Sequence, residues 1–128
     1  MTTFRVGIVI AMLVLAACSS ARPPGTRVTD VATLAGTYTG TMSEDGMTPR
    51  PIRLVMQPDG SFQITAGDPG GFRFNGRVVA DPNGTLVYNY DNDRSRGRGT
   101  VYEGDGKRVI VLDRADGRAT ITVDKSLP

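Results

Sequence analysis

Ile52-Arg53-Leu54-Val55-Met56-Gln57-Pro58-Asp59-Gly60-Ser61-Phe62-Gln63-Ile64-Thr65 reads as two β-strands and the turn between them. Ile52, Leu54 and Met56 alternate with Arg53 and Gln57, and Phe62 and Ile64 alternate with Ser61, Gln63 and Thr65. Side chains of an extended chain point to opposite faces in turn, so each run has one apolar and one wet face. Pro58-Asp59-Gly60 supplies a fixed φ, a carboxylate that bonds nearby backbone, and a residue free to take positive φ. So short a connection makes the two strands antiparallel neighbours.

The same arrangement repeats in both directions. Upstream lies Thr37 to Met42, joined to Ile52–Gln57 through a loop holding Glu44-Asp45-Gly46 and Thr48-Pro49. Downstream of Ser61 to Ala66 come Phe72 to Ala80, Thr85 to Asp91, Arg98 to Glu103, Lys107 to Asp113 and Arg118 to Lys125. The intervening segments, among them Asp81-Pro82-Asn83-Gly84 and Gly104-Asp105-Gly106, are rich in Gly, Asn and Asp, the residues of tight turns. Consecutive short connections predict an all-β fold: eight antiparallel strands in an up-and-down meander, closed as a small barrel. An open two-sheet sandwich is the structural alternative. Val109 to Leu112 is apolar on both faces, which predicts a cover for its outer side, either a neighbour or the N-terminal segment.

The chain has 128 residues and one cysteine, so a single small domain must fold without disulfides. Its inward positions carry aromatic residues. An eight-stranded barrel has room for packed side chains or for one small ligand. Tyr38, Phe62, Phe74, Tyr88 and Tyr90 are therefore either the filling of the barrel or the lining of a pocket for a small apolar ligand.

The first residues follow a different pattern. Arg5 precedes an apolar run from Val6 to Ala17, broken only by Gly7, and the run ends at Leu15-Ala16-Ala17-Cys18. A membrane-spanning helix needs about 20 apolar residues, so this run has the length of an export-signal core. Residues 19–28 are rich in Ser, Pro, Gly and Arg, as a tether is. Thr29 or Asp30 can cap a short helical turn through Leu34 that would plug one end of a barrel, with Gly36 ending it. The expected organisation is a signal peptide over 1–17, a lipidated N-terminus and flexible linker over 18–35, and a barrel over 36–128. A coil reaching to Ala35 would extend roughly 20–25 Å.

Leu15-Ala16-Ala17-Cys18 resembles the lipobox of bacterial lipoproteins, cleaved between Ala17 and Cys18. The resemblance implies that Cys18 becomes the mature N-terminus, carrying thioether-linked diacylglycerol and a third acyl chain such as palmitate. Ser19 and Ser20, where an aspartate would resemble an inner-membrane retention signal, imply the periplasmic side of an outer membrane in a Gram-negative host. Gly36-Thr37-Tyr38-Thr39-Gly40, Leu54, Met56 and Asp59-Gly60-Ser61-Phe62 are similar to the opening of small lipocalin-like envelope lipoprotein domains. One such relative is the N-terminal domain of the copper-homeostasis and adhesion-sensing lipoprotein. That family's Cys-x-x-Cys copper motif would fall at Ser43-Glu44-Asp45-Gly46, so the resemblance implies no copper site here. The paired cysteines of lysozyme-inhibitor lipoproteins are also missing.

Residue inventory narrows the chemistry. The chain has no histidine, which removes Ser-His-Asp and Cys-His catalysis and the common zinc sites. Of its 15 Lys and Arg, Arg5 would leave with the leader, which puts the remainder close to balance with 13 Asp and Glu. That balance gives no basis for nucleic-acid binding. Arg94, Arg96 and Arg98 could form a stripe for an anionic surface or partner; the plainer reading is a solvated hairpin offset by Asp91 and Asp93. Asp91-Asn92-Asp93-x-Ser95 departs from a calcium loop at Arg96 and Tyr102. Glu44 with Asp45 and Glu103 with Asp105 could pair as catalytic carboxylates, but they sit at strand ends where acids serve turns.

The expectation is a monomeric, lipid-anchored, non-enzymatic β-barrel for binding or envelope maintenance, with no cofactor and no metal. The alternatives are a lipocalin-type carrier of a small apolar ligand, or an inhibitor or partner of a periplasmic enzyme acting through loops 43–51 or 92–97.

Overall fold

The Asp59-Gly60 turn forms in the computed structural model, joining strand β2 (Arg50–Met56) to β3 (Ser61–Thr65). The Asp59 carboxylate accepts from Ser61 N at 2.9 Å and Ser61 Oγ at 2.6 Å, and Gly60 takes φ +89°. Leu54 pairs with Ile64 and Met56 with Phe62, and all four side chains are buried. The structure describes residues 25–67, 71–91 and 95–128. The signal peptide, the Cys18 lipobox, Arg94 and most of the Asp91–Asp93 segment lie outside them.

Six further strands continue the meander: β1 (Gly36–Glu44), β4 (Arg73–Ala80), β5 (Leu86–Tyr90), β6 (Arg96–Gly104), β7 (Lys107–Arg114) and β8 (Ala119–Ser126). Each pairs antiparallel with the next, and β8 returns to β1 through pairs such as Gly40 with Val123. Closure leaves no edge strand exposed, and the barrel rather than the open sandwich is formed. The expected strand ends hold to within two residues, the largest shifts being Glu44 for Met42, Arg50 for Ile52 and Arg96 for Arg98. Asp105 and Gly106 both take positive φ, +53° and +73°, in the tight turn joining β6 to β7. That is the backbone handedness a two-residue hairpin needs.

Inward side chains fill one continuous core that includes Tyr38, Leu54, Ile64, Leu86, Tyr88 and Ile110. Large rings fit because glycines face them. A Cβ on Gly76 would lie 2.5 Å from Phe62 Cζ and 2.5 Å from Asn89 O, and one on Gly97 would overlap the Tyr88 ring.

One end of the barrel is closed by a 3-10 turn, Val31–Leu34. Asp30, not Thr29, caps it, accepting from Ala32 N at 2.9 Å. Leu34 drops into the core, and Tyr38 Oη donates to Leu34 O at 2.8 Å inside the barrel. Arg108 ties the same corner, donating from Nη1 to Thr33 O at 2.8 Å and from Nε to Glu103 at 2.8 Å.

The flexible linker expected up to Ala35 is shorter in the structure. Thr26 N donates to Val101 O at 2.6 Å, Val28 N donates to Gly84 O at 3.0 Å, and the Val28 side chain is buried. The segment fills the gap left because β5 starts at Leu86 while β6 runs on to Gly104 beside it. Strand β6 would otherwise present unpaired backbone there. Val111, outward-facing yet buried, pairs with Thr100 and Thr122, and Gly25 lies against Thr100.

Candidate functional site: the aromatic mouth of the barrel

The end opposite the plug is where β2, β4, β6 and β8 begin and β1, β3, β5 and β7 end. Four of the aromatic residues expected at a ligand site come together there: Phe62 from β3, Phe74 from β4, and Tyr88 and Tyr90 from β5. Their rings touch in sequence, Phe62 to Tyr88 at 6.3 Å, Phe62 to Tyr90 at 6.0 Å, Tyr88 to Tyr90 at 5.6 Å and Phe74 to Tyr90 at 5.3 Å between centroids. These edge-on and tilted contacts suit ring quadrupoles and add to area burial. Exposure rises outward through the cluster. Phe62 and Tyr88 are buried, Tyr90 is half-buried and Phe74 is 38% exposed.

Tyr38, the fifth expected residue, is not in the cluster. It lies at the plugged end, fully buried, with its hydroxyl committed to Leu34 O. Its role is to latch the plug.

Residues outside the expected set complete the mouth. Phe72 lies tilted against Phe74, with 4.8 Å between ring centres, and the Arg50 guanidinium lies 5.0 Å from the centre of the Phe72 ring. Arg114 closes another side, its Nε 2.8 Å from Asp116 Oδ1. Arg50 and Arg114 lie two residues beyond Ile52 and Leu112, so extending the inward alternation by one step would have found them. Met47, in the loop after β1, is 56% exposed at this end.

Beside the rings the mouth holds a cavity of only about 60 Å³, lined by Met42, Phe74, Tyr88, Tyr90, Leu112 and Arg114 among others. Small-molecule sites span roughly 300–1,000 Å³, and one water occupies about 30 Å³ of liquid. The interior is filled, and the mouth is a surface rather than a calyx.

Ionisable groups here are tuned away from neutrality. Burial, reinforced by Tyr90 and Asp113, pushes the Tyr88 hydroxyl above its ordinary range. The hydrogen bond to Asp116 raises Arg114 and, with the Arg118 backbone amide, lowers Asp116. None of these groups is poised to exchange a proton near pH 7.

The remaining candidates fall elsewhere. Arg96 and Arg98 project from the outer face of β6, beside an open groove also lined by Thr85, Val87 and Thr100. Glu103 is paired with Arg108, and Asp105 is a turn residue with positive φ. Asp45 N donates to Arg118 O in the loop beyond β1. Among the described residues no three of His, Cys, Asp and Glu gather as metal ligands.

No protein-family model matches the sequence, and no curated protein matches it. Among solved structures the chain is similar to a redesigned β-barrel, at 16% identity and a TM-score of 0.51, over 79% of this chain and 99% of that one. At that identity the likeness concerns the barrel fold alone.

Proposed function

We propose that this chain is a lipid-anchored, non-enzymatic binding module of the bacterial cell envelope. Cys18 carries the anchor, and in a Gram-negative host the barrel faces the periplasm from the outer membrane. The observation that carries the binding reading is a filled barrel whose aromatic residues gather at its unplugged end. A carrier needs enclosed volume, and about 60 Å³ is too little for a lipid-sized ligand. Partner recognition needs a surface, and Phe74, Phe72 and Met47 offer apolar area beside the guanidinium of Arg50. Aromatic and arginine side chains in this mixture dominate protein-recognition hot spots. The reading therefore favours a protein partner engaged through the mouth, including loop 43–51, over a small apolar ligand.

Native mass spectrometry of the purified full chain tests the choice. A monomer with no bound small molecule is expected. A stoichiometric apolar ligand, released by Phe74→Ala or Tyr90→Ala, would establish the carrier instead. Mass analysis of the N-terminal peptide reads the anchor directly, and an unmodified Cys18 would refute it.

A further inference from the structure

The outer surface of the barrel is electrically two-sided. Outward strand positions of β2 to β6 carry Arg53, Arg73, Arg77, Arg96 and Arg98 and no carboxylate. Outward positions of β7, β8 and β1 carry Lys107, Asp113 and Asp124 among threonines, and no arginine. None of the five arginines is ion-paired with a described residue. Among the described residues the nearest acidic groups border these arginines: Asp113 of β7, in register with Arg98, Asp91 just past β5, and Asp59, whose carboxyl is held low first by Ser61 and also feels Arg77. Val79, 53% exposed, pairs with Val87 in the middle of the β4–β6 wall.

The chain enters the barrel on this wall as well. Gly25 lies against Thr100, and Thr26 is bonded to Val101, on the β5 side of β6 and close to Arg98. Only seven residue steps separate Cys18 from Gly25. As a coil they reach about 13–16 Å, and fully stretched at most about 25 Å. A domain of this size, with a radius of gyration near 13 Å, is about 33 Å across. A leash shorter than the body keeps its own point of attachment turned toward the bilayer.

We infer that the β4–β6 face, which carries Arg73, Arg77, Arg96 and Arg98, is the membrane-facing side of the protein, seated on anionic phospholipid headgroups of the leaflet that holds the Cys18 anchor. Guanidinium groups bind phosphate oxygens through paired N–H donors, and Val79 with Val87 supplies apolar contact at the headgroup boundary. The inference rests on the anchoring of Cys18 proposed above. It adds an orientation, with the aromatic mouth opening sideways along the membrane surface.

The acylated full chain, reconstituted into vesicles, tests it. With Cys18 blocked by lipid, a Val79→Cys or Thr122→Cys thiol can be labelled singly with a fluorophore. Quenching is then read from a headgroup-borne quencher. In vesicles containing phosphatidylglycerol, the label at position 79 should be quenched several-fold more than the label at 122. High salt, pure phosphatidylcholine or the combined Arg77→Ser, Arg96→Ser and Arg98→Ser variant should reduce the contrast to the part that the short leash alone imposes. Each arginine removed should weaken the contact about fivefold. Matched thermal melts keep folding out of the comparison. Equal quenching at both positions in an acylated protein would overturn the orientation alone. A chain whose Cys18 proves unacylated would overturn the anchoring and the orientation with it.

Discussion

Gly97, Gly99 and Gly104 lie on one strand, β6, and face three different surroundings, so alanine at each is a test of how the barrel is filled. A Cβ at Gly97 would overlap both the Tyr88 ring and the carbonyl oxygen of Asp113 on β7. The ring could tilt, but the carbonyl belongs to the β6–β7 ladder and moves only with the backbone. At Gly99 the nearest atoms are Leu112 Cδ2 at 2.8 Å and Leu86 Cβ at 3.0 Å, the first of them the free end of a side chain. At Gly104 nothing lies within 4 Å. Overpacking costs typically about 1–3 kcal/mol, so Gly97→Ala belongs near about 3 and Gly99→Ala near about 1. Gly104→Ala meets no obstacle and should gain about 0.4–1 kcal/mol by restricting the unfolded chain. With a shift of about 4–8 °C per kcal/mol for a small domain, the midpoints should fall by about 12–24 °C, fall by about 4–8 °C and rise by a few degrees. Thermal circular dichroism with urea titration at fixed temperature gives all three. Adding Tyr88→Leu to Gly97→Ala removes the ring conflict but not the carbonyl one, so the pair should recover part of the loss and show clear coupling. Equal effects at Gly97 and Gly104 would refute the claim that inward glycines make room for the rings.

Three further outcomes follow from the plug, the seam and the mouth. Tyr38→Phe removes the donor to Leu34 O and should cost about 1–2 kcal/mol in urea titration, since the carbonyl stays buried. Val28→Ala should cost about 1–2 kcal/mol for two methyl groups if residues 26–35 belong to the folded domain, and nothing if they are a free linker. The Tyr88 hydroxyl is raised above its ordinary value of 10.0, so the unfolded chain gives up that proton first as pH rises. Stability from this source is full below pH 10 and is lost above it. Melts between pH 9 and 11 should show a smaller alkaline loss for Tyr88→Phe than for the parent chain; identical slopes would contradict the burial of that hydroxyl.

Alternation in the sequence determines which face a residue takes, and on that level the reading succeeds for every inward aromatic. It does not determine height along the barrel. Tyr38 pairs with Leu54, Leu54 with Ile64, and Ile64 with Phe74. That row of neighbours starts at the plug and ends at the open mouth, because strands in a closed barrel tilt and their register is staggered. Tyr38 and Phe74 thus share a face and a row yet sit at opposite ends. Phe62 shows the converse: it stands at the start of β3 but pairs with Gly76, and Gly76 pairs with Tyr90, which brings it into the cluster. Only closure sets the stagger, and closure is a long-range property. The docking of residues 25–28 was hidden for a related reason. Val28 is one apolar residue in a polar, proline-rich stretch, and Gly84 and Val101, the partners of Val28 and Thr26, are defined only once β5 and β6 are paired.

The filled interior also follows from energetics at this size. A calyx of 300 Å³, the lower end for a ligand site, would cost about 7 kcal/mol at roughly 24 cal/mol per Å³ if it were empty. Whole domains are stable by only about 5–15 kcal/mol. Larger or disulfide-linked barrels can carry such a void, but the described part of this chain has no cross-link. Pairing a ring on one strand with a glycine on the next, as in Phe62 with Gly76 and Tyr88 with Gly97, lets large side chains cross the axis without a gap. The same pairing ties recognition to stability, because Tyr88 supports Tyr90 and Phe74 above it. A substitution that moves Tyr88 should therefore disturb the mouth even where the barrel survives. Phe74→Ala, at a ring already partly in water, should alter recognition with little loss of fold.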